Sequence, residues 1–362
     1  MPVTAQAETL RIATYNASLT RNGAGLMLAA IERGQDERLA RVAAIIQTVR
    51  PDILLINELD HDPEGRALAA LQTYLTTGRM GAEGITYAHV LTAPVNTGVL
   101  TGQDLDGDGH AFGPRDAQGF GRFPGQYGMA ILSRYDISGF RSFQEVLWSD
   151  LPGAIPPEGV FAGQRLSSKS HWDVEVRVAG RPLHLLASHP TPPVFDGPED
   201  FNGRRNHDET MFWVQYLSGQ AFRDDQGQTT PAPTAPVLLL GDLNADPFDG
   251  DARRDALSAL LSHPRLQDPT PMSDGAVAAA RAQVGANAGH QGDPAQDTAD
   301  WNDDRGPGNL RVDYVLPDAR LTVLGSGVFW PAPGQPGADL LGEGRDQASD
   351  HRLVWVDIDW PG

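Results

Sequence analysis

Residues 236–250 read PVLLLGDLNADPFDG. Val237 and the three leucines after it form a continuous apolar run, long enough to cross a core as a buried strand, and Gly241 breaks it. Asp242 and Asn244 follow, two residues apart, so an extended backbone turns both side chains the same way. A carboxylate and an amide together at the mouth of a sheet serve chemistry better than stability. Read alone, Asp-x-Asn caps turns. The same construction, a strand that stops on polar residues, recurs along the chain, and the recurrence decides the reading.

Working outward, residues 9–16 (TLRIATYN) alternate as a strand does and end on Asn16. Residues 36–50 place Leu39, Val42, Ala43, Ile46 and Val49 on one helical face, and Pro51 ends the helix. Residues 52–58 (DILLINE) form an apolar strand that stops on Asn57 and Glu58. Strand, helix and strand predict a layered α/β unit. Residues 128–135 (GMAILSRY), 171–178 and 181–188 are further strands, the last delivering His189. In 171–178, Trp172, Val174, Val176 and Val178 share one face. Residues 252–263 read as a helix and 310–316 (LRVDYVL) as a strand with Asp313 inside it. Asp350 and His351 precede a last strand rich in Val and Trp.

Two stretches lack periodicity. Residues 92–126 are rich in Gly, Asp and Pro, and a loop this long in a compact domain is functional or disordered. It holds Asp104, Asp106, Asp108 and Gly109, which resemble the start of a calcium loop, but Arg115 stands where that loop needs a bidentate Glu. A loop lying over an active site is the other reading. Residues 270–310 are polar and Gly-rich, and are expected to be mobile or irregular.

Composition bounds the function. The chain has 362 residues, 47 acidic against 28 basic, for a formal charge of −19. That field opposes a polyanion, because nucleic-acid affinity rests on phosphate neutralisation by Lys and Arg. The absence of cysteine excludes disulfides and thiolate metal sites. No apolar run approaches the length of a membrane span. Ala5-Gln6-Ala7 has the small-x-small form of a signal-peptidase site, so residues 1–8 are read as a disordered N-terminus or the remnant of an export signal, and a periplasmic or extracellular location is expected, with the cytoplasm as the alternative.

The strand-end residues, with their neighbours, are ATYN (13–16), INE (56–58), GMAILSR (128–134), SHP (188–190), GDLNADP (241–247), RVDYVL (311–316) and SDH (349–351). In this order they resemble the endonuclease/exonuclease/phosphatase superfamily, and they span nearly the whole chain. The resemblance implies an α/β (α+β) four-layer sandwich: two mixed sheets packed face to face, helices outside, and the site at one edge. It implies a single catalytic domain over residues 9–362, with insertions near 92–126, 192–210 and 270–310.

The resemblance also implies roles. Glu58 is the expected principal ligand of a divalent cation, with Asn16 and Asp350 beside it and a second cation possible at Asp242. Hard oxygen ligands suit Mg²⁺, Mn²⁺ or Ca²⁺. Asp242 and Asn244 match the pair that positions the attacking water and the phosphate. His351, its ring held by Asp313, and His189 match the two histidines that serve as donors or base. Asp313 sits among Val312, Tyr314 and Val315, where a carboxylate needs a partner. Outside these motifs, Arg204, Arg205, Asn206 and His207 are the densest group of phosphate-binding candidates, joined by Lys169, His171 and Tyr127. The expected protein is a monomeric metal-dependent phosphoesterase with a small organic phosphate ester as its substrate. A nuclease, a lipid-directed phosphodiesterase and a non-catalytic scaffold are the alternatives.

Overall fold

A computed structural model describes residues 8–361. The Ala5-Gln6-Ala7 motif and the expected disordered leader lie outside the described residues, except that Glu8, counted with that leader above, opens the first strand. The chain runs β1 (Glu8–Asn16), α1 (Leu26–Arg33), α2 (Glu37–Val49), β2 (Ile53–Asn57), α3 (Arg66–Leu75), β3 (His89–Thr92), β4 (Met129–Ser133), β5 (Asp136–Ser142), β6 (His171–Val178) and β7 (Arg181–Ser188). Then come α4 (Phe201–Leu217), a small hairpin of β8 (Phe222–Arg223) and β9 (Thr229–Thr230), β10 (Val237–Asp242), α5 (Arg254–Leu261) and α6 (Asp274–Gln283). A second hairpin, β11 (Ala299–Asp300) with β12 (Asn309–Leu310), leads into β13 (Asp313–Pro317), β14 (Thr322–Val328) and β15 (Val354–Trp360).

Two mixed sheets result, in strand order β14-β15-β1-β2-β4-β3 and β13-β10-β7-β6-β5. Between them lies a core built from alternate residues of both sheets, among them Leu10, Ile12, Ile53, Leu55, Trp172, Val174, Leu238 and Leu240. The other alternation of the first sheet, Ala13, Tyr15, Leu54 and Ile56, meets Leu39, Val42 and Ile46 of α2. The second sheet turns Val237, Leu239, Tyr314 and Leu316 toward Phe212 and Trp213 of α4 and Leu257 and Leu260 of α5. Both faces of β10 are therefore covered, which is why its sequence is a continuous apolar run rather than an alternation. Each fully buried leucine there contributes about 1.5–3 kcal/mol. The architecture is the expected four-layer sandwich.

Register brings the polar strand ends together. β1 runs parallel to β2 with Asn16 opposite Asn57, and β10 runs parallel to β7 with Leu240 opposite Ala187. β13 is antiparallel to β10, which pairs Asp242 with Asp313. β15 is antiparallel to β1, with Thr14 opposite Val354, so the start of β15 reaches the same edge. Parallel strands contribute their carboxyl ends and antiparallel strands their amino ends.

Two expectations are corrected. Residues 270–310 are not irregular throughout: Ser273 caps α6, accepting from the Ala276 N–H at 3.3 Å, and the β11–β12 hairpin follows. Residues 310–316 are not one strand, because Leu310 belongs to that hairpin and Asp313 opens β13 instead of lying within it. Among the described residues no helix is long and apolar enough to cross a membrane.

Gly241 is the break in the opening run, and its conformation explains why. Its φ is 150°, and a Cβ there would lie 2.0 Å from the carbonyl oxygen of Ser188. The close approach keeps the strand carrying Asp242 against the strand carrying His189. Gly241→Ala is expected to destabilise the fold by about 2–4 kcal/mol, the combined scale of backbone strain and overpacking. Urea denaturation of the purified variant measures it; an unchanged midpoint contradicts this role.

Candidate active site

The site is assembled around Asp242, which is 1% exposed. Its Oδ1 accepts from the Asn244 N–H at 2.9 Å, and its Oδ2 accepts from Asn16 Nδ2 at 3.0 Å. His189 Nε2 lies 3.3 Å from Oδ2 and His351 Nε2 lies 3.6 Å from it. The Asp242 N–H donates to Asn57 Oδ1 at 3.3 Å. Burial works against the charge of this carboxylate. His351, His189 and the Asn16 amide outweigh it and hold its pKa well below the usual range.

His351 shares its other nitrogen with Asp313: Nδ1 lies 2.9 Å from Asp313 Oδ2. Thr298 Oγ1 donates to that same oxygen at 2.8 Å and accepts from the Asp313 N–H at 3.0 Å, which fixes the carboxylate. The Trp301 ring stands edge-on to the His351 ring at 5.4 Å between centroids. Burial opposes a charged His351 ring, but Asp313 and Asp242 together raise its pKa well above the ordinary histidine value. Burial in turn lifts Asp313 above the ordinary carboxylate range. His189 goes the other way. Burial, reinforced by the charge of Lys169, pushes it down to about 4, so at neutral pH its ring is uncharged. Two histidines flank one carboxylate, one cationic and one neutral.

A second group of donors adjoins the first. Asn16 Nδ2 also donates to Glu58 Oε1 at 3.3 Å, linking Glu58 to Asp242. Glu58 follows β2 directly with φ 60°, a left-handed backbone that costs a Glu on the order of 1–3 kcal/mol. Burial and the neighbouring Asp350 carboxylate push the Glu58 pKa up to about 7, against the pull of His351, Lys169 and Asn16. Asp350 is oriented by Trp301, whose Nε1 donates to its Oδ2 at 3.0 Å. Two carboxylates crowded together with an amide oxygen nearby fit a hard divalent cation, which relieves their repulsion. Asp242, Asp313 and His351 also bring ligand atoms within 4.8 Å of one another, a second acidic cluster with a metal-binding donor set. Asp104, Asp106 and Asp108 do the same on the exposed loop, where Asp104 also accepts from the Gly107 and Gly109 N–H groups of its own turn.

Asn244 adopts φ 52°, a conformation asparagine tolerates, and its Nδ2 donates to the Pro190 carbonyl at 3.1 Å. Lys169, the single lysine of the chain, is 6% exposed, and its ammonium makes no hydrogen bond or ion pair among the described residues. Burial lowers its pKa, while Glu209, Glu58 and Asp242 oppose that shift. Tyr127, half-buried with φ 55°, lies near Glu58, and its N–H donates to Asp60 Oδ1 at 3.3 Å.

The Arg204–His207 group is not a substrate loop. It lies inside α4, and most of its donors are already committed. Arg204 donates to the Glu199 and Ile155 carbonyls. Arg205 donates to the carbonyls of Leu166 at 2.8 Å, Arg165 at 2.9 Å and Gln118 at 2.6 Å. Asn206 Nδ2 donates to the Thr191 and Leu243 carbonyls. His207 sits between Asp208 at 2.7 Å and Asp255 at 3.2 Å. His171 is likewise structural: its ring meets Ser167 Oγ and the Glu209 carbonyl and packs tilted against Phe212 and edge-on to Trp213. Buried donors must be satisfied, and here backbone carbonyls satisfy the Arg and Asn groups while carboxylates hold His207. Thr298, Trp301 and Glu209 escaped the sequence reading, since nothing local marks them.

The protein-family comparison matches residues 13–351 to the model described as the Endonuclease/Exonuclease/phosphatase family. No curated protein matches in sequence. Among solved structures, an endonuclease/exonuclease/phosphatase from Beutenbergia cavernae DSM 12333 is 18% identical, with 98% of this chain and 72% of that chain covered and a TM-score of 0.55. An endonuclease/exonuclease/phosphatase family protein from Bacteroides thetaiotaomicron is 13% identical over 98% of both chains, TM-score 0.53. A mannosyl-6-phosphatase from Bacteroides thetaiotaomicron VPI-5482 is 16% identical over 97% of this chain and 100% of that one, TM-score 0.51. At such identities the structural likeness speaks for the fold, and the family match over most of the chain speaks for membership. The chain belongs to the endonuclease/exonuclease/phosphatase family, whose members hydrolyse phosphate esters.

Proposed function

We propose that this protein is a divalent-metal-dependent phosphoesterase that hydrolyses small organic phosphate esters by in-line attack of water. The observation that carries the reading is the buried Asp242 carboxylate, flanked by His189 Nε2 at 3.3 Å and His351 Nε2 at 3.6 Å and joined through Asn16 to the Glu58 group. Asp242 orients the water and takes its proton. His351 donates to a phosphoryl oxygen as negative charge develops, and Asp313 keeps its ring in the required orientation. His189 Nε2 and the Asn244 amide supply neutral donors, and Lys169 a fixed ammonium. Preorganised donors of this kind are each worth about 10²–10³ in rate. Glu58, Asp350 and Asn16 would hold the cation, which supplies charge neutralisation of the phosphoryl oxygens. All of these groups come from one chain, so a monomer suffices.

The charge of −19 favours a small substrate over a nucleic acid. With Arg204 and Arg205 committed elsewhere, Lys169 is the remaining cationic candidate of the substrate side. The direct test is turnover of nitrophenyl phosphate mono- and diesters with Mg²⁺, Mn²⁺ or Ca²⁺ and after chelation. Metal-dependent release of nitrophenol is expected. No hydrolysis of either ester or of plasmid DNA with any of the three metals overturns the phosphoesterase reading. Rapid cutting of DNA with both esters untouched overturns the small-substrate preference alone.

A further inference from the structure

Helix α4 carries a polar face where an apolar one is expected. Arg205 is 4% exposed, and Asn206 and Glu209 are each 1% exposed. Spacing of three and four residues puts them side by side. Burying them is costly unless every polar atom finds a partner. Their partners are not scattered. Arg205 holds the carbonyls of Gln118, Arg165 and Leu166, and Asn206 holds those of Thr191 and Leu243, the residue between Asp242 and Asn244. One Glu209 oxygen accepts from the Ser168 N–H at 2.6 Å and Ser168 Oγ at 3.2 Å, and the other accepts from the Thr191 N–H at 2.6 Å. Ser168 immediately precedes Lys169, and Thr191 lies two residues after His189.

We propose that Glu209 is a positioning residue that clamps the Lys169 segment to the His189 segment and so sets the spacing of these two phosphate-facing side chains. The proposal rests on the hydrolase reading above. A carboxylate suits the task because both of its oxygens accept. A glutamine would present its NH₂ to one of the two backbone N–H groups and lose half of the clamp.

Because the chain has one lysine, biosynthetic incorporation of [6-¹³C]lysine gives a single side-chain NMR signal for Lys169. Glu209→Gln is expected to move that signal from its wild-type position and to lower kcat/KM about 10–100-fold on nitrophenyl phosphate, the scale of a small misplacement. Glu209→Asp keeps two acceptors on a shorter side chain, so the signal moves less and kcat/KM recovers in part. A folded Glu209→Gln protein with the wild-type signal and wild-type kcat/KM overturns the proposal. If Glu209→Gln fails to fold, Glu209→Asp decides: wild-type kcat/KM with an unmoved lysine signal overturns it. Wild-type protein inactive on every phosphate ester overturns the hydrolase reading instead, and the lysine signal still judges the clamp.

Discussion

Asp242→Asn lowers kcat on nitrophenyl phosphate by about 10³-fold or more and leaves the protein folded. The expectation follows from the bonds Asp242 makes. Its Oδ1 faces the Asn244 N–H, and its Oδ2 faces Asn16 Nδ2 and two histidines, so every neighbour is a donor. An asparagine turns an NH₂ toward one of these donors and removes the acceptor for the water's proton. Loss of a positioned base costs about 10²–10⁴ in rate. Asp242 also helps keep His351 cationic, so in the variant the His351 pKa falls and the ring loses its proton at lower pH. Residual activity should therefore decline on the alkaline side sooner than in the wild type. Stability should fall at neutral pH without unfolding the protein, because the ionised carboxylate is paired with His351 and the Asn16 amide and the substitution leaves those donors short of an acceptor. Steady-state kinetics across pH, with circular dichroism and thermal unfolding as controls, measure all three. A variant with wild-type kcat excludes Asp242 as the base.

Much of this site was legible in the sequence because two-sided burial writes itself plainly. Strands covered on both faces read as apolar runs, and the residues that end them, Asn16, Glu58, His189 and Asp242, stand out as polar. Asp313 was legible because a carboxylate beside Val312 and Tyr314 demanded a partner, and His351 is that partner at 2.9 Å. The edge strands β5 and β14 were not legible. β5 and β14 are largely half-exposed and carry register shifts beside Gly139 and Gly325, so neither the apolar run nor the alternation survives. The face of α4 misled for a different reason. A run of Arg, Arg, Asn and His looks like an anion site when its partners are unseen. The carbonyls that occupy Arg205 lie as far as 87 residues away in sequence, and only tertiary packing brings them in. Glu209 reads from sequence as an ordinary helix-surface glutamate. Lys169 is the counterexample: among the cations singled out, it is the one whose charged end has no partner among the described residues.

Glu58→Gln is the second large effect, and it separates binding of the cation from the rest of the chemistry. The substitution keeps size and hydrogen-bonding reach but removes the charge opposite the cation. Divalent-metal affinity should fall at least about 100-fold, beyond what loss of an outer-sphere partner costs, and kcat/KM should fall by about 10³-fold where the cation's charge neutralisation is lost. In the wild type the cation competes with a proton, because the Glu58 pKa is pushed up to about 7. Below that pH the apparent metal affinity should weaken about tenfold per pH unit, and above it the affinity should level off. In Glu58→Gln this dependence flattens. Stability moves the opposite way. A carboxyl whose pKa is higher folded than unfolded stabilises the protein at low pH, and that contribution is lost as pH rises from the unfolded value toward about 7. Under chelation at pH 8, the metal-free glutamine variant should therefore unfold at a higher temperature than metal-free wild type, with the difference vanishing in acid. Calorimetric titration with Mn²⁺ at several pH values and thermal unfolding in chelator read both signs. Wild-type metal affinity in Glu58→Gln, with the same pH dependence, would move the principal cation to the Asp242, Asp313 and His351 cluster. The crowding of Glu58 and Asp350, two carboxylates with no cationic side chain paired to either among the described residues, argues that it stays where Glu58 is.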